Sequence, residues 1–250
     1  MTTIYFANGG VLDLDTIRTM GVSVKETDTP IGYFGTGLKY AIATLLRTHH
    51  EVTLTTGGET YEFRALPCQI RGQTFQVVHM NNEKLAFTTD LGKNWEPWMA
   101  FRELYSNCLD ENGKVSDKPF EADTVWAVRG FGIVEAYYSK HEVFLHTDPL
   151  WTISHIEIHP GRSDHVFYRG VRVAKLLKPS KFTYNFTKGI ALTEDRTAQS
   201  LWDILYNLGK YLPMVPDEKF AQKLVRKGQI ECMEDEGIDF SFCREPSEDF

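Results

Sequence analysis

Leu38, Ala41, Ile42, Leu45 and Leu46 recur at helical spacing behind a glycine-rich stretch, and they predict an amphipathic helix that ends near Thr48. The period then changes to alternation. EVTLTT and TYEFRAL flank Gly57-Gly58 as the arms of a β-hairpin, and QTFQVVHM continues the strand pattern. Upstream, TIYF reads as a short strand closed by the turn NGG. LDLDTIRTMG reads as a helical turn stopped by Gly21, and the polar stretch 22–30 as a loop. NWEPWMAFRELYSNCLDENG signals a second helix, with Asn94 as cap, Pro97 in the first turn and Gly113 as the stop. TVWAV is a buried strand, and GIVEAYYSKHEVF leans towards helix.

From Trp151 onward the pattern differs. WTISHIEIH and HVFYRGVRVAKLL alternate, the second folding at Arg169-Gly170 into a hairpin, and FTYNF adds a strand. A helix is expected across TEDRTAQSLWDILYNLGKYL, capped by Thr193, with Leu201, Ile204, Leu205 and Leu208 as its apolar face. DEKFAQKLVRKG is a last helix before an acidic tail. The change of pattern suggests a division into 1–148 and 149–250, the second part β-rich and then helical, with the option that both pack as one unit.

Composition narrows the class. At 250 residues and 42% hydrophobic content the chain can bury a sizeable core. No run approaches the ~18 apolar residues of a membrane span, and MTTIYFANGG lacks the regions of a signal peptide, so a cytoplasmic location without a membrane partner is expected. Cys68, Cys108, Cys232 and Cys243 are scattered without a CxxC pair, which argues against a zinc cluster and a disulfide framework and for reduced, mostly buried thiols. A net charge of −7, with acid concentrated in the tail, disfavours sequence-independent nucleic-acid binding. His155, His159 and His165 fall on alternating strands, where a polar sheet face is the expected role rather than a metal site.

Two segments carry candidate chemistry. In IGYFGTGLKYA, Gly32 and Gly37 have Walker spacing, but Leu38 stands where the lysine belongs and no hydroxyl follows Lys39. As a dinucleotide turn the segment lacks its third glycine, replaced by Tyr40, and no strand precedes it. What remains is general: glycines let backbone amides approach an anion, and the start of the following helix favours phosphate. In ELYSNCLDE, Glu103, Asn107 and Asp110 sit at i, i+4 and i+7 and share one helix face within roughly 60°. Two carboxylates and an amide on one stripe suit magnesium coordination through oxygen and activation of water. A solvated face is the alternative, weakened by Trp95, Trp98, Phe101 and Tyr105 on the same helix.

Together the segments resemble the GHKL ATPases, the family of the heat-shock chaperone ATPase domain, gyrase B, MutL and sensor histidine kinases. ELYSNCLDE resembles the E-x-x-x-N-x-x-D box, IGYFGTGLKYA the second glycine box I-G-x-F-G-x-G, and NGG with the stretch behind it the first, D-x-G-x-G. The helix box comes first in the family and last here, the order a circular permutation produces. The resemblance implies an α+β fold: a circularly permuted Bergerat-type two-layer sandwich, a mixed sheet with helices on one face. It implies ATP and Mg2+ as ligands, with Asn107 coordinating the metal and Glu103 as the general base that activates water and reaches the metal through it. Gly32, Gly35, Thr36 and Gly37, with amides running into Leu38 and Lys39, would hold the phosphates. Asn8 and Gly9 would line the adenine end, Asp110 would support the adenosine, and Lys25 would meet phosphate from the lid. The family's adenine-reading aspartate falls at Ala7. The function implied is slow magnesium-dependent ATP hydrolysis that switches a lid and the surface for a protein partner, with a homodimer open; the alternative is a degenerate, non-hydrolysing nucleotide-binding or interaction module.

Overall fold

A computed structural model describes residues 2–20, 36–193 and 195–250. Two compact units emerge, Met1–Lys140 and His141–Phe250. Both are α+β.

The first unit is built on a seven-stranded sheet of order β5-β4-β3-β2-β7-β1-β6, made from β1 (Thr3–Asn8), β2 (Glu51–Thr56), β3 (Glu59–Ile70), β4 (Gln73–Met80), β5 (Glu83–Thr88), β6 (Lys114–Ser116) and β7 (Thr124–Arg129). Every neighbouring pair is antiparallel, where a mixed sheet is expected from the sequence. The hairpins at Gly57-Gly58, Arg71-Gly72 and Asn81 set this pairing, because short turns with positive φ can join only antiparallel neighbours.

Directly opposed residues share a sheet face, so the register exposes the logic of the core. Phe6 lies opposite Trp126, which lies opposite Leu54; Ile4, Val128 and Val52 form the next row. All six are buried. Their face is covered by α2 (Gly37–Arg47), α3 (Pro97–Asp110) and α4 (Phe131–Tyr138), with α3 packed between the other two. Phe6 meets Phe101 of α3 at 5.6 Å between ring centroids. Helices stay on this side because the alternate positions, Tyr5, Ala127 and Thr53, are small or polar and only half-buried.

Local signals fix the helix ends. Pro97 opens α3 where its missing N–H costs nothing, so Glu96 rather than Asn94 is the residue before the first turn. The short α1 (Asp15–Arg18) is held by Arg18, which chelates the Glu83 carboxylate, and by the Lys39 ammonium, which donates to the Thr16 carbonyl at 2.6 Å.

In the second unit, β8 (Trp151–Ile153), β9 (Ile156–His159), β10 (Ser163–Tyr168), β11 (Val171–Ser180) and β12 (Thr183–Phe186) form a sheet of order β11-β10-β12-β9-β8. It is mixed, with β10 and β12 parallel. WTISHIEIH is two strands, because Ser154 adopts φ +55° and turns the chain back on itself. The helix expected from Thr193 starts later: α5 (Leu201–Tyr211) takes Ser200 as its cap, while Thr193 and Asp195 spend their side chains on Thr197 in the preceding loop. The last predicted helix is α6 (Glu218–Val225), capped by Asp217. The acidic tail is partly core: Cys232, Met233 and Ile238 are buried around α7 (Met233–Glu236). Glu234 accepts from the Tyr184 hydroxyl at 2.6 Å and the Lys181 amide at 2.8 Å.

Cys108 and Cys232 are buried, Cys68 and Cys243 half-buried, and all four are free thiols. Among the described residues no helix is long and apolar enough to cross a membrane.

Candidate functional site

At one end of the first sheet the helix-facing rows change character. Asn8, Thr124 and Thr56 are opposed across β1, β7 and β2, and they continue the face of Phe6, Trp126 and Leu54 with polar groups. All three are buried. The Thr56 and Thr124 hydroxyls lie 2.8 Å apart, and both accept from the Leu12 amide; Thr124 also donates to the Gly10 carbonyl. The Gly10 amide donates to Asp123. These bonds clamp the NGG loop onto the sheet.

Above this row runs α3. Asn8 donates to the Glu111 carboxylate at 2.6 Å, immediately beyond the last turn of α3. Gly113 then presses against β1 so closely that a Cβ there would stand 2.3 Å from the Ala7 carbonyl oxygen and 2.7 Å from Asn8 Oδ1. That oxygen is buried and has no hydrogen-bond partner among the described residues. Strand phase also settles which side chain faces the helices. Phe6 and Asn8 do; Ala7, between them, points to the opposite face of the sheet.

Two turns back along α3, Glu103 is only 2% exposed. Its carboxylate closes on the first residue of α2: a Cβ on Gly37 would lie 2.2 Å from Oε1 and 2.7 Å from Oε2. Glycine is what lets the carboxylate approach this closely. The carboxylate therefore sits at the positive end of the α2 dipole, where negative charge is stabilised. Asn107 lies half-buried on the turn between Glu103 and Glu111, with Asp110 half-buried at the end of the helix. From Glu103 to Glu111 the helix rises about 12 Å.

The structure thus brings Glu103 to Gly37, and Asn8 to the far end of the same helix. Thr36 precedes α2 and its carbonyl accepts from the Lys39 and Tyr40 amides, so the Lys39 amide is already engaged within the helix. Lys39 is wholly buried, its ammonium on Thr16, and burial lowers its pKa. Leu38 is half-buried, and Gly9 is exposed beside the clamped Gly10. Gly32, Gly35 and Lys25 lie outside the described residues. His155 and His159 are buried on or beside β9, and His165 lies on β10; among the described residues no three His, Cys, Asp or Glu side chains form a metal-ligand group.

Sequence reasoning missed Thr56, Thr124, Glu111 and Gly113. The signal was the strand period: a Thr in the helix-facing phase at the end of EVTLTT and at the start of TVWAV interrupts an otherwise apolar face. No family model, curated protein or solved structure matches the chain.

Proposed function

We propose that the first unit is a permuted Bergerat-type nucleotide-binding domain of the GHKL family, and that it binds ATP with magnesium and hydrolyses it slowly. The observation that carries this reading is the apposition of Glu103 with Gly37. Two segments distant in the chain, each resembling one of the family's boxes, meet as a buried carboxylate against the start of a glycine-led helix. Chance placement of a carboxylate on a solvated face would not bury it there.

The residues fit the ligands implied. The start of α2 offers an anion the helix dipole, and Gly37 is where the Glu103 carboxylate reaches that helix start. Asn107 would hold magnesium, which when bound would neutralise phosphate charge. Glu103 is oriented towards the same helix start, where it can take a proton from water attacking the terminal phosphate, the remaining catalysis being positioning and charge stabilisation. At the other end of α3, the helix-facing member of the first glycine box is Asn8 and not Ala7. Its Oδ1, without a hydrogen-bond partner among the described residues, would supply the acceptor that a base amino group needs, while Nδ2 is anchored by Glu111.

Titration calorimetry with ATP and GTP, with and without magnesium, tests binding, and single-turnover hydrolysis tests chemistry. ATP binding that weakens without magnesium and in Asn107→Ala is expected. Failure to bind either nucleotide overturns the reading. Binding with no hydrolysis by the unmodified protein would leave the non-hydrolysing module in its place.

A further inference from the structure

In the second unit a cavity of about 390 Å³ is lined by Arg162, Lys181, Lys219, Lys223, Arg226 and Lys227, with Gln222, Gly228 and Ile230. Among the described residues no carboxylate lines it, in a chain whose net charge is −7. The cations come from separate segments: Arg162 from the turn before β10, Lys181 from the turn before β12, Lys219 and Lys223 from adjacent turns of α6 at i and i+4, and Arg226 and Lys227 from the extended chain just after it.

Their partners distinguish a floor from a rim. The Lys181 ammonium is neutralised, donating to Asp235 and to the Leu224 and Arg226 carbonyls, and this ties the end of α6 to the strands. Lys227 has a loose pairing with Glu236 at 3.8 Å. Lys223 lies over the Phe182 ring at 4.2 Å from its centroid. Among the described residues Arg162, Lys219, Lys223 and Arg226 have no carboxylate partner. Like charges gathered in a concavity raise the local potential, which favours entry of an anion.

We infer that this cavity is a binding site for a small ligand carrying two or more phosphate groups, distinct from the α2–α3 site. The volume lies within the range of small-ligand pockets. Cations converging from several segments suit clustered charge on a compact molecule, whereas a nucleic-acid backbone calls for a longer stripe. Arg162 and Arg226 provide planar donors for phosphate oxygens, and the lysines act as point charges.

The probe is sodium tripolyphosphate, titrated calorimetrically into the full chain without divalent metal. Binding is expected, weakening at least tenfold as salt rises from low to physiological strength. Lys219→Glu with Arg226→Glu, both at exposed positions, should reduce affinity by about 100-fold with an unchanged circular dichroism spectrum, and Arg162→Ala by about tenfold. Absence of binding overturns the inference, as does equal affinity in the charge-reversed variant, which would assign the phosphate to a site elsewhere in the chain. A short DNA duplex that binds more tightly than tripolyphosphate, and with the same sensitivity to charge reversal, would overturn the ligand class.

Discussion

Gly37→Ala adds one methyl group at the closest approach between α2 and α3. That methyl would stand 2.2 Å from Glu103 Oε1, where atoms in ordinary contact keep at least 3.4 Å apart, so the carboxylate must withdraw by roughly 1 Å. The obstacle is the end of a flexible side chain rather than backbone. Glu103 can rotate away for about 0.5–1.5 kcal/mol, and alanine regains part of the ~1 kcal/mol by which it exceeds glycine in helix propensity. Net stability should therefore change by less than about 1 kcal/mol. With Glu103 as the base proposed above, hydrolysis should not be so tolerant, since displacement of a reacting group by about 1 Å costs on the order of 100-fold in rate. The assay pairs single-turnover ATP hydrolysis with denaturant unfolding for Gly37→Ala, Glu103→Ala and the double variant. In the Glu103→Ala background the added methyl meets no carboxylate, so it should stabilise slightly and leave the residual hydrolysis unchanged. Equal effects of Gly37→Ala in both backgrounds would refute the contact. Full hydrolysis by Gly37→Ala would refute the role given to Glu103.

Other expectations follow from single groups. Lys39→Ala should destabilise by about 2–3 kcal/mol through lost packing and a stranded Thr16 carbonyl, and Lys39→Met should cost clearly less, as urea midpoints would show; equal costs would deny the packing contribution. Burial, reinforced by Arg172, pushes His165 down to about 4, and burial also lowers His50, whose Nε2 accepts from the Ile133 amide at the start of α4. Both rings bind protons more readily when unfolded, so stability is complete above about pH 6.5 and falls as pH drops towards 4. For His165 the loss is about 1–2 kcal/mol after allowance for its partial exposure. His165→Gln should flatten that slope in a pH series of thermal melts, and an unaltered slope would exclude this source. Burial pushes the Cys108 thiol up to about 12, so at pH 8 iodoacetamide should label Cys68 long before Cys108 in the folded protein; comparable rates by mass spectrometry would contradict the packing of α3.

Much of the architecture was legible from local pattern. The helices at Gly37–Arg47 and Pro97–Asp110 follow from apolar spacing and from Pro97, and the hairpins at Gly57-Gly58 and Arg169-Gly170 from alternation around residues that accept positive φ. Propensity at single caps was less reliable. Thr193 resembles a cap as well as Ser200 does, and only the loop bonds to Asp195 and Thr197 decide between them. The tail reads from the sequence only as acidic, because its charges are visible there while the partners that meet Glu234, Tyr184 and the Lys181 amide, are distant in the chain.

For the candidate site, the sequence by itself determined the residue types and their helical phase: Glu103, Asn107 and Asp110 share a stripe because 3.6 residues make a turn, and glycine opens α2. Tertiary structure alone decided what that stripe faces. Strand register turned Asn8 towards α3 and Ala7 away, aligned Thr56 and Thr124 beside Asn8, and brought the Glu103 carboxylate onto Gly37. Local periodicity fixes direction about one element's own axis; it carries no information about which surface of another element lies opposite, and burial of a charged group depends on that alone.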